Sequence, residues 1–206
     1  MLEPDHHEQI ISGFASIAQR GLKISSGLKS WVVCSPYPQQ AITDLGSLLE
    51  YFPDCLEGDE PVVNQSLAVL GYSHFLSRRL IRYPSWIKEL RESNNLDQPR
   101  LDDELSKSLS SRIQFQKIWN SKDLKNLLRQ FKYQEYYRLT LRDLLNLASD
   151  EVILAELTSL TKITLDWAFR AATLEAQEFK LSRKDLLANG IRPPSCILGM
   201  GKLGGQ

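Results

Sequence analysis

The residues best suited to chemistry lie together in a glycine-rich segment near the end of the sequence. A short apolar run, residues 196–198, predicts a buried strand that leads into Gly-Met-Gly-Lys-Leu-Gly-Gly, the segment Gly199–Gly205. Glycines at this density allow positive φ angles or a very close approach of the backbone to a ligand. Consecutive backbone N–H groups in such a loop suit phosphate oxygens, and Lys202 adds a positive charge. The segment therefore predicts a phosphate-binding loop.

Three kinds of phosphate loop compete for this segment. Its letters satisfy G-x-G-x-x-G, but the dinucleotide-binding fingerprint also needs a following helix and an acidic residue about 20 residues further on. A Walker A loop needs a Gly four residues ahead of the Gly-Lys pair and a Ser or Thr after it, where this sequence has Cys196 and Leu203. The third kind is a nucleotidyltransferase loop, in which a Gly-Gly pair follows a strand and paired aspartates on a second strand bind magnesium.

The segment Gly199–Gly205 resembles the start of the nucleotidyltransferase motif of glutamine synthetase adenylyltransferases. In that family the glycines are followed by Glu-Leu-Asn and then by Ser-Asp-Ile-Asp-Leu, whose two aspartates carry the metals. The sequence stops at Gln206, before those residues, and the family often has a basic residue at this position. The resemblance implies that Lys202, Gly204 and Gly205 position phosphate, and it assigns no catalytic or metal-binding residue to this chain.

Two earlier segments extend the resemblance and follow the order of the family. Tyr72–Pro84 resembles a family segment of the form Ser-x-Phe-Leu … Arg-x-Pro. Leu128–Leu144 resembles the basic helix that precedes the catalytic domain, and residues 157–161 resemble more loosely the Leu-Ser-x-Leu-Ala that follows it.

The resemblance implies a bifunctional, magnesium-dependent regulator of nitrogen assimilation. One nucleotidyltransferase domain attaches AMP from ATP to a tyrosine of glutamine synthetase, and a related N-terminal domain removes it by phosphorolysis. By position this chain corresponds to the AMP-removing half. Glutamine synthetase and a PII-type signalling protein are the implied partners, and Mg²⁺ with ATP or ADP is implied for the full-length protein. For this chain alone we expect no cofactor and no activity, because no carboxylate follows Gly205.

The composition of the chain disfavours several classes of protein. The chain has 25 Lys and Arg against 25 Asp and Glu, so it lacks the basic excess expected for binding nucleic acid or an anionic membrane. Its three cysteines, Cys34, Cys55 and Cys196, are far apart and predict reduced thiols. No apolar run is long enough to span a membrane, and the polar start is not a signal peptide. These features favour a cytoplasmic protein.

The hydrophobic pattern predicts a mainly α-helical fold. We expect a helical bundle over residues 1–190, and then residues 191–206 as the strand and glycine loop that begin a truncated nucleotidyltransferase α/β domain. The predicted helices cover residues 8–24, 39–51, 61–83, 100–119, a segment starting at 120 or 121, 150–179 and 184–188.

Two of these helices have particularly clear patterns. Asn120 or Ser121 is suited to cap a helix whose apolar stripe has the spacing i, i+3, i+4 and i+7. That stripe consists of Leu124, Leu127, Leu128 and Phe131. Ser149, followed by two acidic residues, predicts the start of the next helix, on which Leu160 and Trp167 are expected to face the core.

Basic side chains in the segment 128–144 allow two interpretations. They could face the nucleotide or a partner protein, or they could form ion pairs within the helix with Glu135 and Asp143. The residues concerned are Arg129, Lys132, Arg138 and Arg142. His6 and His7 are adjacent at a polar terminus and are expected to be solvated, and His74 is expected to be a core or groove histidine.

An alternative function is a non-catalytic helical module that docks a partner protein. Its interface or core would use the apolar helix faces together with Trp86, Trp119 and Trp167.

Overall fold

The computed structural model describes residues 4–93, 96–116 and 120–178. Within these ranges the chain forms nine α-helices, one short 3₁₀ helix (Pro53–Leu56) and no β-strand. The helices are α1 (Pro4–Gln19), α2 (Ser26–Cys34), α3 (Pro38–Tyr51), α4 (Glu60–Leu67), α5 (His74–Arg82), α6 (Ser85–Ser93), α7 (Asp102–Phe115), α8 (Ser121–Leu144) and α9 (Asp150–Glu178). The prediction of a mainly α-helical chain is confirmed. The predicted strand near residue 196, the helix 184–188 and the division at residue 190 lie outside the described residues.

The helices fall into two compact units, and neither unit is one continuous stretch of chain. The first consists of Met1–Pro99 and Tyr133–Ile153, and the second of Arg100–Lys132 and the described residues from Leu154 onward. Helices α8 and α9 therefore each contribute one part to each unit.

The first unit is built around a leucine-rich core. Apolar side chains from α1 to α6 and from the second half of α8 pack together in one cluster. Tyr137 and Leu141, one turn apart on α8, complete this cluster and are almost fully buried. Other fully buried members are Leu28, Leu45, Leu48, Leu67, Leu80 and Ile87.

The prediction of one long helix over residues 61–83 is wrong, because a turn separates α4 from α5. Gly71 has φ +80°, and a Cβ at this position would lie 2.3 Å from Ser35 Oγ. The Gly71 carbonyl accepts a hydrogen bond from the N–H of Tyr37 at 3.2 Å. Ser73 then caps α5, since its hydroxyl oxygen accepts from the N–H of Leu76. The apolar period continues through the turn after Leu67, but the left-handed backbone and close packing of Gly71 do not allow one continuous helix through this position.

Other helices end a few residues away from their predicted boundaries. Two further helices, α2 and α6, are not predicted from the hydrophobic period. Helix α1 ends at Gln19 instead of residue 24, and Gly21 has φ +78° just beyond its end. The short helices α2 and α6 have nine residues each, too few for a clear periodic signal. Helix α2 is capped by Ser25, whose hydroxyl accepts from the N–H of Leu28 at 3.0 Å.

Helix α8 confirms its sequence pattern. Asn120 is the cap, because its side-chain oxygen accepts from the N–H of Asp123 at 2.8 Å, whereas Ser121 is the first helical residue. All four residues of the predicted stripe are buried: Leu124, Leu127, Leu128 and Phe131. The guanidinium carbon of Arg112, on α7, lies 5.5 Å from the centre of the Phe131 ring.

Of the two residues predicted to face the core on α9, only one does. Leu160 is almost fully buried, as predicted. Trp167 stays partly exposed, so the prediction for this residue is wrong. The guanidinium carbon of Arg170 lies 4.7 Å from the centre of the Trp167 ring, and Nη2 of Arg170 pairs with Asp166 Oδ2 at 2.9 Å. This ion pair keeps the indole at a hydrated surface.

Candidate functional site

The predicted phosphate-binding residues, Lys202, Gly204 and Gly205, lie outside the described residues. Their role stays a prediction, and the same holds for Cys196 and Trp119. The described polar sites belong to the helices that precede this loop in the chain. Among the described residues no group of three His, Cys, Asp or Glu side chains is placed to hold a metal ion.

Arg138 of α8 forms an ion pair within its helix, which agrees with the second of the two interpretations of this residue. Its Nε donates to Glu135 Oε2 at 2.9 Å, and both side chains are almost fully buried. Its Nη1 also donates to the carbonyl of Gln98, at 3.4 Å. A guanidinium suits such a position because its five N–H donors serve a carboxylate and a carbonyl together.

Arg142, one turn further along α8, binds the same connecting segment. Its Nη1 donates to the carbonyl of Leu96, and the side chain is almost completely buried. Arg138 and Arg142 therefore fix the backbone of residues 96–98 within the first unit and do not form an exposed ligand surface. Arg129, by contrast, is exposed on α8.

A second polar cluster, partly buried, links α4, α6 and α8 of the first unit. Arg91 Nη2 donates to the carbonyl of Cys55 at 2.5 Å and to Ser66 Oγ at 2.8 Å, and its Nη1 donates to the carbonyl of Glu57 at 3.1 Å. The hydroxyl of Tyr137 donates to the Ser66 carbonyl at 2.5 Å. Burial lowers the pKa of Arg91 and raises the pKa of Tyr137, and the raised pKa keeps the Tyr137 phenol protonated near neutral pH.

The sequence does not predict this cluster because its members are distant in the chain. Tyr137 and Ser66 are 71 residues apart, and Arg91 is 25 residues from Ser66. Neither spacing produces a local pattern. The arrangement satisfies carbonyls at the end of the 3₁₀ helix that would otherwise be left without partners, so we assign it a structural role.

Cys34 and Cys55 should differ strongly in reactivity. Cys34 is exposed, whereas Cys55 is fully buried and its burial raises the thiol pKa to about 12. The reactive species is the thiolate, which at pH 8 is a minute fraction of Cys55 because that pH lies well below its pKa. We expect iodoacetamide at pH 8 to label Cys34 in the folded protein, and Cys55 only after unfolding in urea.

Peptide mapping by mass spectrometry separates the two sites. The unfolded protein is the control, because there both cysteines should label at similar rates. Equal labelling of Cys34 and Cys55 in the folded state would contradict the burial of Cys55.

His74 is exposed, so the prediction of a core or groove histidine is wrong. Ser73 caps α5 and places His74 at the first helical position, where its side chain stays in solvent. Its Nδ1 lies 3.7 Å from Oδ2 of Asp44, a buried carboxylate whose Oδ1 accepts from Gln40 at 2.8 Å. Asp44 and His74 make an ion pair when the imidazole is protonated.

In its described part the chain is an all-α protein. None of the helices within these ranges is both long and apolar enough to cross a membrane. The sequence model of the glutamate-ammonia ligase adenylyltransferase family matches residues 63–206. The chain belongs to this family, which confirms the resemblance found in the sequence.

Similar curated proteins carry the name bifunctional glutamine synthetase adenylyltransferase/adenylyl-removing enzyme. The protein from Shewanella woodyi is 31% identical over 144 residues, which are 67% of this chain and 14% of the relative. The one from Nitrosococcus oceani is 32% identical over 138 residues, again 67% of this chain and 14% of the relative. The one from Shewanella frigidimarina is 27% identical over 166 residues, 77% of this chain and 16% of the relative.

The chain thus spans about one seventh of the length of the curated relatives that it matches. No solved structure matches it significantly.

Proposed function

We propose that this chain is the helical region leading into the AMP-removing domain of a bifunctional glutamine synthetase adenylyltransferase/adenylyl-removing enzyme. The observation that carries the proposal is the extent of the family match, which runs from residue 63 through the glycine-rich segment to residue 206. Its curated relatives are named for both activities. The described helices act as the scaffold that precedes the phosphate-binding loop.

In this proposal Lys202, Gly204 and Gly205 position phosphate in the complete enzyme. Backbone N–H groups of the glycine pair hold phosphate oxygens, and the lysine ammonium balances their charge. When bound, Mg²⁺ neutralises the charge on the phosphates during transfer. Mg²⁺ and ATP or ADP are proposed for the full-length enzyme, as the family implies.

The remaining assignments rest on the family. Glutamine synthetase is the proposed substrate protein, a PII-type signalling protein is the proposed regulator, and the cytoplasm is the proposed location. The balanced charge, 25 Lys and Arg against 25 Asp and Glu, agrees with protein partners better than with nucleic acid.

The 206-residue polypeptide by itself should neither add nor remove AMP. In phosphorolysis a phosphate oxygen attacks the AMP phosphorus, the bond to the tyrosine oxygen breaks, and ADP leaves. Magnesium in such sites is held by side-chain carboxylates together with the substrate phosphates, and no Asp or Glu follows Gly205 in this polypeptide. We expect no ADP release from AMP-modified glutamine synthetase, phosphate and Mg²⁺ above the control without protein.

The control is the double variant Gly204→Val, Gly205→Val, which blocks the close approach of phosphate to the loop. Turnover by the parent polypeptide that this variant abolishes would disprove inactivity. Reading the gene past Gln206 tests the function itself: Glu-Leu-Asn followed by Asp-x-Asp supports the enzyme, and a stop codon supports the alternative of a docking module.

A further inference from the structure

Helix α5 carries an arginine whose guanidinium lies against two aromatic rings. The guanidinium carbon of Arg79 lies 4.5 Å from the centre of the Tyr133 ring and 5.2 Å from that of Phe75. The two rings meet edge to face, with centres 5.1 Å apart. We call these three side chains the Arg79 stack; all belong to the first unit. Contact with both rings restricts the conformations open to the guanidinium before any ligand binds.

The stack leaves the hydrogen-bond donors of Arg79 unused. In the described ranges its guanidinium forms no ion pair and no hydrogen bond, unlike Arg91, Arg138 and Arg142, which donate to named acceptors. Aromatic rings engage the faces of a guanidinium, whereas its five N–H groups point outward in the plane. A positioned guanidinium with unused donors matches the planar geometry of a carboxylate.

The exposed part of helix α5 itself is basic and partly apolar. Helix α5, with the sequence HFLSRRLIR, contains no acidic residue, and Arg78 and Arg82 are exposed. Neither arginine makes an ion pair with another described residue. Phe75 keeps 46% of its surface exposed beside them. Exposed aromatic and arginine side chains in one patch are the residue types that dominate binding energy in protein interfaces.

We propose that the α5 face formed by Phe75, Arg78, Arg79 and Arg82 is a docking surface for an acidic segment of a protein partner. Arg79 binds a carboxylate through the parallel N–H donors of its preorganised guanidinium. Arg78 and Arg82 attract neighbouring negative charge, and Phe75 packs against an apolar side chain of the segment. Preorganisation limits the side-chain entropy lost on binding. The proposal does not depend on the enzymatic function, because it uses only α5 and α8 of the first unit.

An acidic protein fits this surface better than nucleic acid does. The chain as a whole has no excess of positive charge, whereas nucleic-acid-binding domains have a broad basic face. The basic residues here are confined to one nine-residue helix. Binding of nucleic acid to this surface would contradict the proposal, so the experiment includes an oligonucleotide.

The chain offers a matched control in Arg170. This guanidinium also lies over an aromatic ring, that of Trp167 at 4.7 Å, but it pairs with Asp166 at 2.9 Å. Its charge and donors are already engaged, so Arg170→Gln should leave binding of an acidic ligand unchanged. The comparison separates the effect of unused donors from that of losing an arginine stacked on a ring.

The test measures fluorescence anisotropy of a labelled poly-glutamate peptide titrated with the full chain at low salt. We expect saturable binding that weakens as salt is raised, since exposed charges are screened. Arg79→Gln should weaken it by about tenfold, Arg79→Lys nearly as much because the fork is lost, and Arg78→Gln by about threefold. Circular dichroism confirms that each variant is folded, and Arg78→Gln, at an exposed position, serves if Arg79→Gln does not fold.

Three outcomes would overturn the proposal. The first is absence of binding to the peptide by the parent chain. The second is an affinity that Arg79→Gln and Arg78→Gln leave unchanged, or that Arg170→Gln lowers equally. The third is tighter binding of a labelled single-stranded oligonucleotide that Arg79→Gln weakens, which would assign the surface to nucleic acid.

Discussion

Replacing Phe131 with alanine should lower the free energy of unfolding by about 3–5 kcal/mol, as for other large truncations in protein cores. Phe131 is fully buried in the second unit, and the Arg112 guanidinium packs over its ring. The cavity left by the ring cannot fill without moving α7 or α8. Urea unfolding followed by circular dichroism measures the change, read from the midpoint at an unchanged slope.

Trp167→Ala is the matched comparison, because it removes an even larger ring from α9. Trp167 is partly exposed and loses mainly its contact with Arg170, so the expected cost is about 1 kcal/mol. A cost for Trp167→Ala equal to or above that of Phe131→Ala would show that the core of the second unit is centred on the indole instead.

Gly71→Ala should destabilise the first unit by about 2–5 kcal/mol. The residue has φ +80°, a conformation that costs an L-residue roughly 1–2 kcal/mol. The added Cβ would also lie 2.3 Å from Ser35 Oγ and 2.8 Å from Ala41 Cβ. Relieving those contacts adds a further cost of about 1–3 kcal/mol, typical of overpacking. The midpoint of thermal unfolding is the measurement.

Gly21→Ala provides the control for backbone strain alone. Gly21 has nearly the same φ, +78°, but nothing lies within 4 Å of the position that its Cβ would take. We expect a loss of only about 1–2 kcal/mol there. If the two substitutions prove equally costly, the close approach of α3 and Ser35 to Gly71 does not contribute to stability.

The sequence predicts those parts of the fold that depend on local pattern. The stripe from Leu124 to Phe131 is strictly helical in spacing, and a polar cap precedes it at Asn120. Burial of one face and satisfaction of the first N–H groups both follow from neighbours in the chain. For this reason α8 begins where the sequence predicts and buries the predicted residues.

Features that depend on distant contacts could not be predicted in this way. The break at Gly71 follows from the approach of Ser35, which is 36 positions earlier in the chain. The burial of Arg138 and Arg142 follows from carbonyls of residues 96–98, and a basic helix in sequence is equally typical of an exposed surface. Trp167 continues an apolar stripe but lies where Arg170 and Asp166 keep the surface polar.

The candidate sites also differ in whether they depend on a local sequence pattern or on contacts between distant residues. A glycine-rich phosphate loop has a compact local pattern, so the sequence alone can propose Lys202, Gly204 and Gly205 as phosphate-binding residues. They lie outside the described residues, and their role stays a prediction. The Arg79 stack joins residues that are up to 58 positions apart, Phe75 and Tyr133. Only the absence of acidic residues from α5 could have drawn attention to it in advance.

The discontinuous first unit has a consequence for biosynthesis. Its N-terminal part, Met1–Pro99, leaves the ribosome well before Tyr133–Ile153. Until then the leucine-rich surfaces of α2 to α5 lack Tyr137 and Leu141, which complete their core. At a synthesis rate of about 5–20 residues per second, this interval lasts for seconds, far longer than the formation of a helix. The nascent chain is therefore exposed to aggregation during that interval, and chaperones that bind apolar segments should increase its yield.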